Sequence, residues 1–271
     1  MRVILLTHGG AELVLAELSK LKNIEIAGVF IETATTPQRP FKEKIKRSIR
    51  YDGYFETAKK LFAKILRTKT SGEEEEKIVA SSRELTEETA RKLGIKVFNL
   101  ENYHHENALE LMRSANADLG IIYGTNIIKE NVFSIPRLGS INLHQGLAPY
   151  YRGGPPVFWE LFNDEKEVGL TVHFIASKVD TGDIILQKTV PLNYDFSFGD
   201  DFEPFLEQYK ENLRTDCAKM VAGATKLIAN GDFPRIKQDT TLGKRYRLPI
   251  KSEKDEMRRK LRQKVKGKRQ N

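Results

Sequence analysis

The sequence predicts an α/β fold: a Rossmann-like, mostly parallel sheet flanked by helices, with a helical C-terminal extension. Three observations carry this. Residues Arg2 to Ile31 read strand, glycine turn, helix, strand, the opening of a βαβ unit. Short apolar runs then alternate with helix-periodic segments as far as about residue 190. Beyond that, one long helical pattern from Phe202 to Asn230 replaces the alternation. The expected division is an α/β domain at 1–190, carrying a basic helical insertion at about 37–76, then a helical extension and basic tail at 191–271.

Each element has its own signal. Arg2 to Thr7 is a short apolar run of the buried-strand kind, turned by His8-Gly9-Gly10. Leu13, Leu15, Leu18 and Leu21 lie near helical spacing, and Ile24 to Ile31 is the second strand. Pro37 to Pro40 breaks the chain. Phe41 to Arg67 sets Ile45, Ile49, Phe55, Phe62 and Ile65 among lysines and arginines, which predicts one or two basic amphipathic helices. Thr70 to Glu76, with four consecutive glutamates, is expected to be an acidic loop. Ser82 caps a helix ending at Leu93 before Gly94. Lys96 to Leu100 is a strand, His104 to Ala115 a helix with His104 and His105 at its surface, and Ala117 to Tyr123 the next strand. Ser140 to His144, Val168 to Ala176 and Ile184 to Val190 complete the strands, and Pro156 to Phe162 is a helical turn whose Trp159 reads as core. Gly231 to Pro234 ends the long helix, and Gly243 to Pro249 is extended.

Composition narrows the function classes. Of 271 residues, 39% are apolar, enough for a core, and the single cysteine, Cys217, permits neither an internal disulfide nor a thiolate metal cluster. A cytoplasmic location is the expectation, with no apolar run long enough to span a membrane. The net charge of +8 is unevenly placed. Residues 35–70 carry eleven Lys/Arg against three acidic residues, and residues 251–271 carry ten against three, so the rest of the chain is net −7. A protein that coats nucleic acid is more often basic throughout. The basic insertion reads either as a solvated helical face or as a docking surface for an anionic substrate or a membrane surface.

The centre of the sequence is Asn142-Leu143-His144, inside Gly139 to Pro156. Residues two apart on a strand share a face, so Asn142 and His144 point the same way. The following loop holds Gly146, Pro149, Gly153, Gly154, Pro155 and Pro156. Asp180 lies 36 positions beyond His144, in the turn Val179-Asp-Thr-Gly-Asp183. Polar groups at strand ends beside such loops are where open α/β sheets place ligands.

This constellation resembles the formyltransferases that use 10-formyltetrahydrofolate, a family including methionyl-tRNA, glycinamide-ribonucleotide and amino-sugar enzymes. The carriers are Asn-x-His, the Pro149-x-x-Arg152-Gly loop, His173-Phe174 and Val179-Asp-Thr-Gly-Asp-Ile-Ile185. The likeness covers about residues 1–190 and is densest from Tyr123 to Gln187. It implies a formyltransferase domain there, 10-formyltetrahydrofolate as formyl donor, no metal, and Asn142, His144 and Asp180 as catalytic groups. By position it implies that the loop Tyr123, Gly124, Asn126, Ile127 and Ile128 meets the pterin ring, together with Val179 and Asp183. His8, Gly9, Gly10 and Arg152 are candidates for substrate binding. Gly9-Gly10 also reads as a plain tight turn, Arg152 as a pin for its own loop, Asp183 as a turn residue, and His173 as packing.

The chemistry suits those residue types. A neutral amine attacking a formyl group gives a tetrahedral oxyanion, which needs a fixed donor. Asn142 offers an amide that never ionises. His144 exchanges protons near neutral pH, and Asp180 orients it or accepts the amine proton through water. No spacing suggests a metal site. The expected acceptor is a small amine, such as an amino sugar carrying a nucleotide or phosphate. Methionyl-tRNA is the alternative: the basic insertion follows the second strand, where those enzymes carry a basic loop, but residues 191–271 lack the β-rich pattern of their C-terminal domain. A second alternative is hydrolysis of 10-formyltetrahydrofolate, less expected because Met1 leads directly into the first strand where such hydrolases carry a regulatory domain.

Overall fold

The computed structural model describes residues 1–34, 41–65 and 71–268. The Pro37 to Pro40 break, residues 66–70 and the last three residues of the tail lie outside the described residues. The first strand, β1 (Arg2–Thr7), leads to α1 (Glu12–Leu18) and β2 (Glu25–Glu32). The insertion follows as α2 (Phe41–Asp52) and α3 (Tyr54–Ile65), the two-helix form of the expectation. Next come α4 (Ser71–Lys92), β3 (Val97–Leu100), α5 (Glu106–Ser114), β4 (Leu119–Tyr123) and α6 (Glu130–Phe133). The central stretch gives β5 (Ser140–His144), β6 (Tyr151–Gly153), α7 (Phe158–Phe162), β7 (Glu167–Phe174) and β8 (Ile184–Pro191). The chain continues through α8 (Phe202–Ala229), β9 (Lys244–Tyr246) and α9 (Lys251–Lys268).

One expectation is corrected here. The acidic stretch Thr70 to Glu76 is no loop from Ser71 onward: α4 begins at Ser71 and carries all four glutamates. Glutamate is a good helix former, so a run of four does not oppose a helix.

The main sheet has the order β3-β2-β1-β4-β5-β7-β8. From β3 to β5 all neighbours are parallel, while β7 runs antiparallel to both β5 and β8. The chain leaves β1 on one side and returns on the other at β4, which opens a crevice beyond the carboxyl ends of these strands. Alternation sends Val3, Leu5, Leu119 and Ile121 to one face and Ile4, Leu6 and Ile122 to the other. The first face is covered by α1 and α8, whose Leu213, Cys217, Val221 and Ile228 join the same core as Val172 and Leu170. Tyr103, Leu109 and Met112 cover the second face. Met257 and Leu261 of α9 are buried in the first core. No described helix is long and apolar enough to cross a membrane.

Candidate active site

β5 ends in the crevice with Asn142 and His144 two residues apart. Across the antiparallel ladder Asn142 is opposite His173, and His144 is opposite Thr171. The loop after His144 is held by Thr171, whose hydroxyl donates to the Gly146 carbonyl at 2.8 Å and accepts from the Ala148 amide at 3.2 Å. Gln187 donates to the Ala148 carbonyl at 2.7 Å. The loop therefore presents Tyr151 and Gly153 at fixed positions beside the catalytic candidates.

Asp180 comes from the long turn between β7 and β8 and brings the pieces together. Its Oδ2 accepts from the Gly153 amide at 2.8 Å and lies 3.4 Å from His144 Nδ1. Its Oδ1 lies 3.4 Å from His173 Nε2. Asp180 adopts a left-handed backbone, φ +53°. Aspartate reaches that region more readily than most residues, and such conformations concentrate at functional sites. Burial works to raise the Asp180 pKa. The His173 and His144 rings and the Gly153 amide outweigh it and hold the carboxyl at about 2, so Asp180 is an anion at neutral pH.

The His144 ring is nearly enclosed. Its Nε2 lies 2.7 Å from the Tyr151 carbonyl. A carbonyl only accepts, so Nε2 carries the proton and Nδ1 faces Asp180 as a lone pair when the ring is neutral. Burial lowers the His144 pKa, against the opposing pull of Asp180 and the Tyr151 carbonyl. The neutral ring with a free Nδ1 is therefore the resting form near neutral pH. A proton arriving at Nδ1 would lie beside the Asp180 carboxylate, which stabilises the resulting imidazolium.

A cavity of about 180 Å³ opens between β4, β5 and the β7–β8 turn. Asn142, Asn126, Ile127, Ile128, Val179 and Asp180 all line it. Pockets for whole ligands run from about 300 Å³ upward, so this space suits one ring system with the remainder of the molecule outside. Tyr123 and Gly124 do not line it: Tyr123 packs on the core and the Gly124 carbonyl accepts from the His8 amide.

The remaining candidates fall elsewhere. Asp183 lies off the cavity, its carboxylate 3.1 Å from Arg235, whose guanidinium stacks on Phe174. Arg152 is 8% exposed and donates to the carbonyls of Pro149, Thr240 and Gly243, so it pins its own loop rather than facing substrate. His8 pairs with Glu32 at 2.8 Å. Gly9 and Gly10 sit against α4: the Gly10 amide donates to the Ser82 carbonyl, and a Cβ on Gly9 would meet the Arg83 backbone at 2.8 Å. That is a tight turn closed by a helix, not an open cradle for phosphate. Trp159 is core, its indole donating to the Arg247 carbonyl at 2.8 Å.

His173, read from the sequence as packing, is indeed buried but also borders the cavity. It is 2% exposed, its Nδ1 donates to the Phe174 carbonyl at 2.7 Å, and its Nε2 has no aligned hydrogen bond among the described residues. It lines the cavity beside Asp180. A histidine between Val172 and Phe174 reads as an interior strand residue; only the β5–β7 register puts it opposite Asn142. The described residues hold no group of three or more His, Cys, Asp or Glu fit for a metal ion.

The comparisons fit this geometry. In sequence, the chain is 33% identical over 150 residues to the methionyl-tRNA formyltransferase of Parabacteroides distasonis, covering 55% of this chain and 44% of that protein. The match to the Chlorobium limicola enzyme of the same name is 31% over 155 residues, 57% and 46%. The chain thus spans less than half the length of these curated relatives. In structure, it is similar to glycinamide ribonucleotide transformylase 1 from Symbiobacterium toebii (TM-score 0.56, 19% identity, 88% of this chain and 93% of that one). It is also similar to an N-formyltransferase from Helicobacter canadensis, solved with folinic acid and dTDP-3-aminofucose (TM-score 0.52, 17% identity, 91% and 70%). At these identities the structural likeness speaks for the fold. The family model described as formyl transferase matches residues 1–200, the span that carries the whole sheet, Asn142, His144 and Asp180, and this chain belongs to that family.

Proposed function

We propose that this protein transfers the formyl group of 10-formyltetrahydrofolate to a primary amine, with a small molecule such as an amino sugar as acceptor. The observation that carries the reading is that Asn142 and Asp180 line one ring-sized cavity bounded by Asn126–Ile128 and Val179, with His144 directly behind Asp180 at 3.4 Å. A cavity of about 180 Å³ is of the order a single ring system such as a pterin needs, and residues 125–128 line it. Asn142 donates to the oxyanion that forms as the amine attacks. The proton shed by the amine passes to Nδ1 of His144, and Asp180 holds the resulting positive charge. Leaving of the folate nitrogen returns that proton. The Gly153 amide holds Asp180 in place.

Methionyl-tRNA is the second reading, favoured by the names of the curated relatives and by the basic insertion. Hydrolysis of the donor to formate uses the same three groups. A single assay separates them: formyl transfer and formate release are followed together, without acceptor, with amino-sugar nucleotides, and with methionyl-tRNA. Transfer to a small amine, lost by 10²-fold or more in Asn142→Ala and His144→Ala proteins of unchanged circular dichroism, is the expected result. Failure of folinic acid to bind at millimolar concentration sinks the reading.

A further inference from the structure

Beside the catalytic cavity lies a larger cleft that the chemistry above does not use. Its volume is about 700 Å³, and it shares Ile127 with the catalytic cavity and includes Gly153, whose amide holds Asp180. Its walls come from α2 and from the segment around β9; an adjoining hollow sharing Arg47, Tyr51 and Leu248 extends it to the start of α9.

The charges around this space are unbalanced. Lys44, Arg47, Arg245 and Lys254 line it, and none makes an ion pair among the described residues. Arg247 also lines it, but Glu253 neutralises it in a two-point pair at 2.7 and 2.8 Å. Asp52 also lines the adjoining hollow, its carboxylate accepting from Ser48. The neighbouring helix α9 shows the other arrangement, with cations paired to the body of the protein. In α9, Arg258 pairs with Glu203, Arg262 with Asp200 and Lys264 with Asp164. Four like charges left open around one concavity repel each other unless an anion enters, and arginine is the residue suited to bind phosphate oxygens in pairs. Aromatic rings stand on both walls. Tyr51 carries the Arg47 guanidinium on its face at 4.9 Å, and Tyr246 stacks on Tyr151 at 5.1 Å.

We infer that this cleft is a binding site for a compact polyphosphate, the diphosphate of a nucleotide, with Arg47 and Arg245 as its principal ligands. This rests on the proposed function for its meaning: it makes the acceptor a nucleoside-diphosphate-linked amine, with the anchor in the cleft and the amine at the Ile127–Gly153 junction facing Asp180. A long polyanion fits less well, because the basic surface of α9 that would extend its track is largely consumed by pairs with the body of the protein.

The test is calorimetry on the full chain with inorganic pyrophosphate, the diphosphates of adenosine, guanosine, cytidine, uridine and thymidine, folinic acid, and bulk tRNA. Three proteins are compared: the wild type, Arg47→Ala/Arg245→Ala, and Lys42→Ala/Lys46→Ala. The last removes the same charge from α2 outside the cleft. The expected result is that at least one nucleoside diphosphate binds the wild type, roughly tenfold or more weaker to the first variant, and unchanged in the second. Folinic acid binding stays the same in all three, which separates failure here from failure of the formyl-transfer reading. No diphosphate binding, or equal weakening in both variants, overturns the inference. So does tRNA binding tighter than any diphosphate, with affinity falling steeply between about 50 and 200 mM salt.

Discussion

In the proposed mechanism, the positions of two ring nitrogens decide what His144 can do. With Nε2 committed to the Tyr151 carbonyl at 2.7 Å, the titrating atom is Nδ1, beside Asp180. Burial depresses the His144 pKa and the Asp180 charge opposes that depression. The neutral ring that the proposed mechanism requires is therefore present above a pKa lower than the usual histidine value and is lost as pH falls through it. Removing the Asp180 charge withdraws the opposing pull, so the pKa falls further. In Asp180→Asn the acid limb of kcat/KM should move to lower pH, while the plateau drops by roughly 10²–10³ because the imidazolium loses its counter-charge. Profiles between pH 4.5 and 8 check both effects; an acid limb that moves upward would remove Asp180 from this role. Asn142, His144 and Asp180 were legible in the sequence as a set. Tyr151 and Gly153 were not, because they act through backbone atoms that leave no trace in residue type.

At the scale of the element, the loop from Gly146 to Gly154 does the positioning, and one glycine shows how tightly. A Cβ on Gly146 would lie 2.4 Å from His144 Nε2 and 2.6 Å from the Tyr151 carbonyl, inside the hydrogen bond that sets the tautomer. Gly146→Ala should cut kcat at least tenfold by misplacing the ring, with little change in far-UV circular dichroism. Full activity in that variant would show that the His144–Tyr151 contact is dispensable. The neighbouring α7 holds a different kind of tension. Glu160 is 3% exposed, and burial raises its pKa from 4.5 to about 7, with Glu165 adding to the rise. The folded state then binds the proton more tightly than the unfolded state, so stability is fully present below about pH 4.5 and declines as pH rises through 7. Glu160→Gln removes that penalty: at pH 8 the variant should be more stable by on the order of 2–3 kcal/mol, a rise of several degrees in Tm, with little change at pH 5. The strands and α8 were readable from their periodicity. The start of α4 was not, because a run of glutamates reads as solvated loop until a helix is there to use them.

For the whole molecule, the uneven charge in the sequence turns out to be structural in one place and open in another. The tail is basic and the body acidic because α9 lies along the body: Arg258 meets Glu203 at 2.6 Å and Arg262 meets Asp200 at 2.5 Å. Composition revealed both charges but could not show that they face each other, since the partners are more than fifty residues apart. These pairs are largely exposed, and exposed pairs contribute only about 0–1 kcal/mol each. The hold on α9 comes instead from Met257 and Leu261, 1% and 2% exposed. Truncating such side chains costs about 2–5 kcal/mol each. Raising salt from 50 to 500 mM should therefore leave the amide-exchange protection of α9 nearly unchanged, whereas Met257→Ala/Leu261→Ala should abolish it. The start of α9 also packs beside α2, where the Lys251 side chain lies against Gly53. Releasing α9 should thus loosen α2 and weaken nucleoside diphosphate binding in the neighbouring cleft while folinic acid affinity holds. Protection that collapses with salt alone would mean the charges, not the two apolar anchors, keep the tail in place.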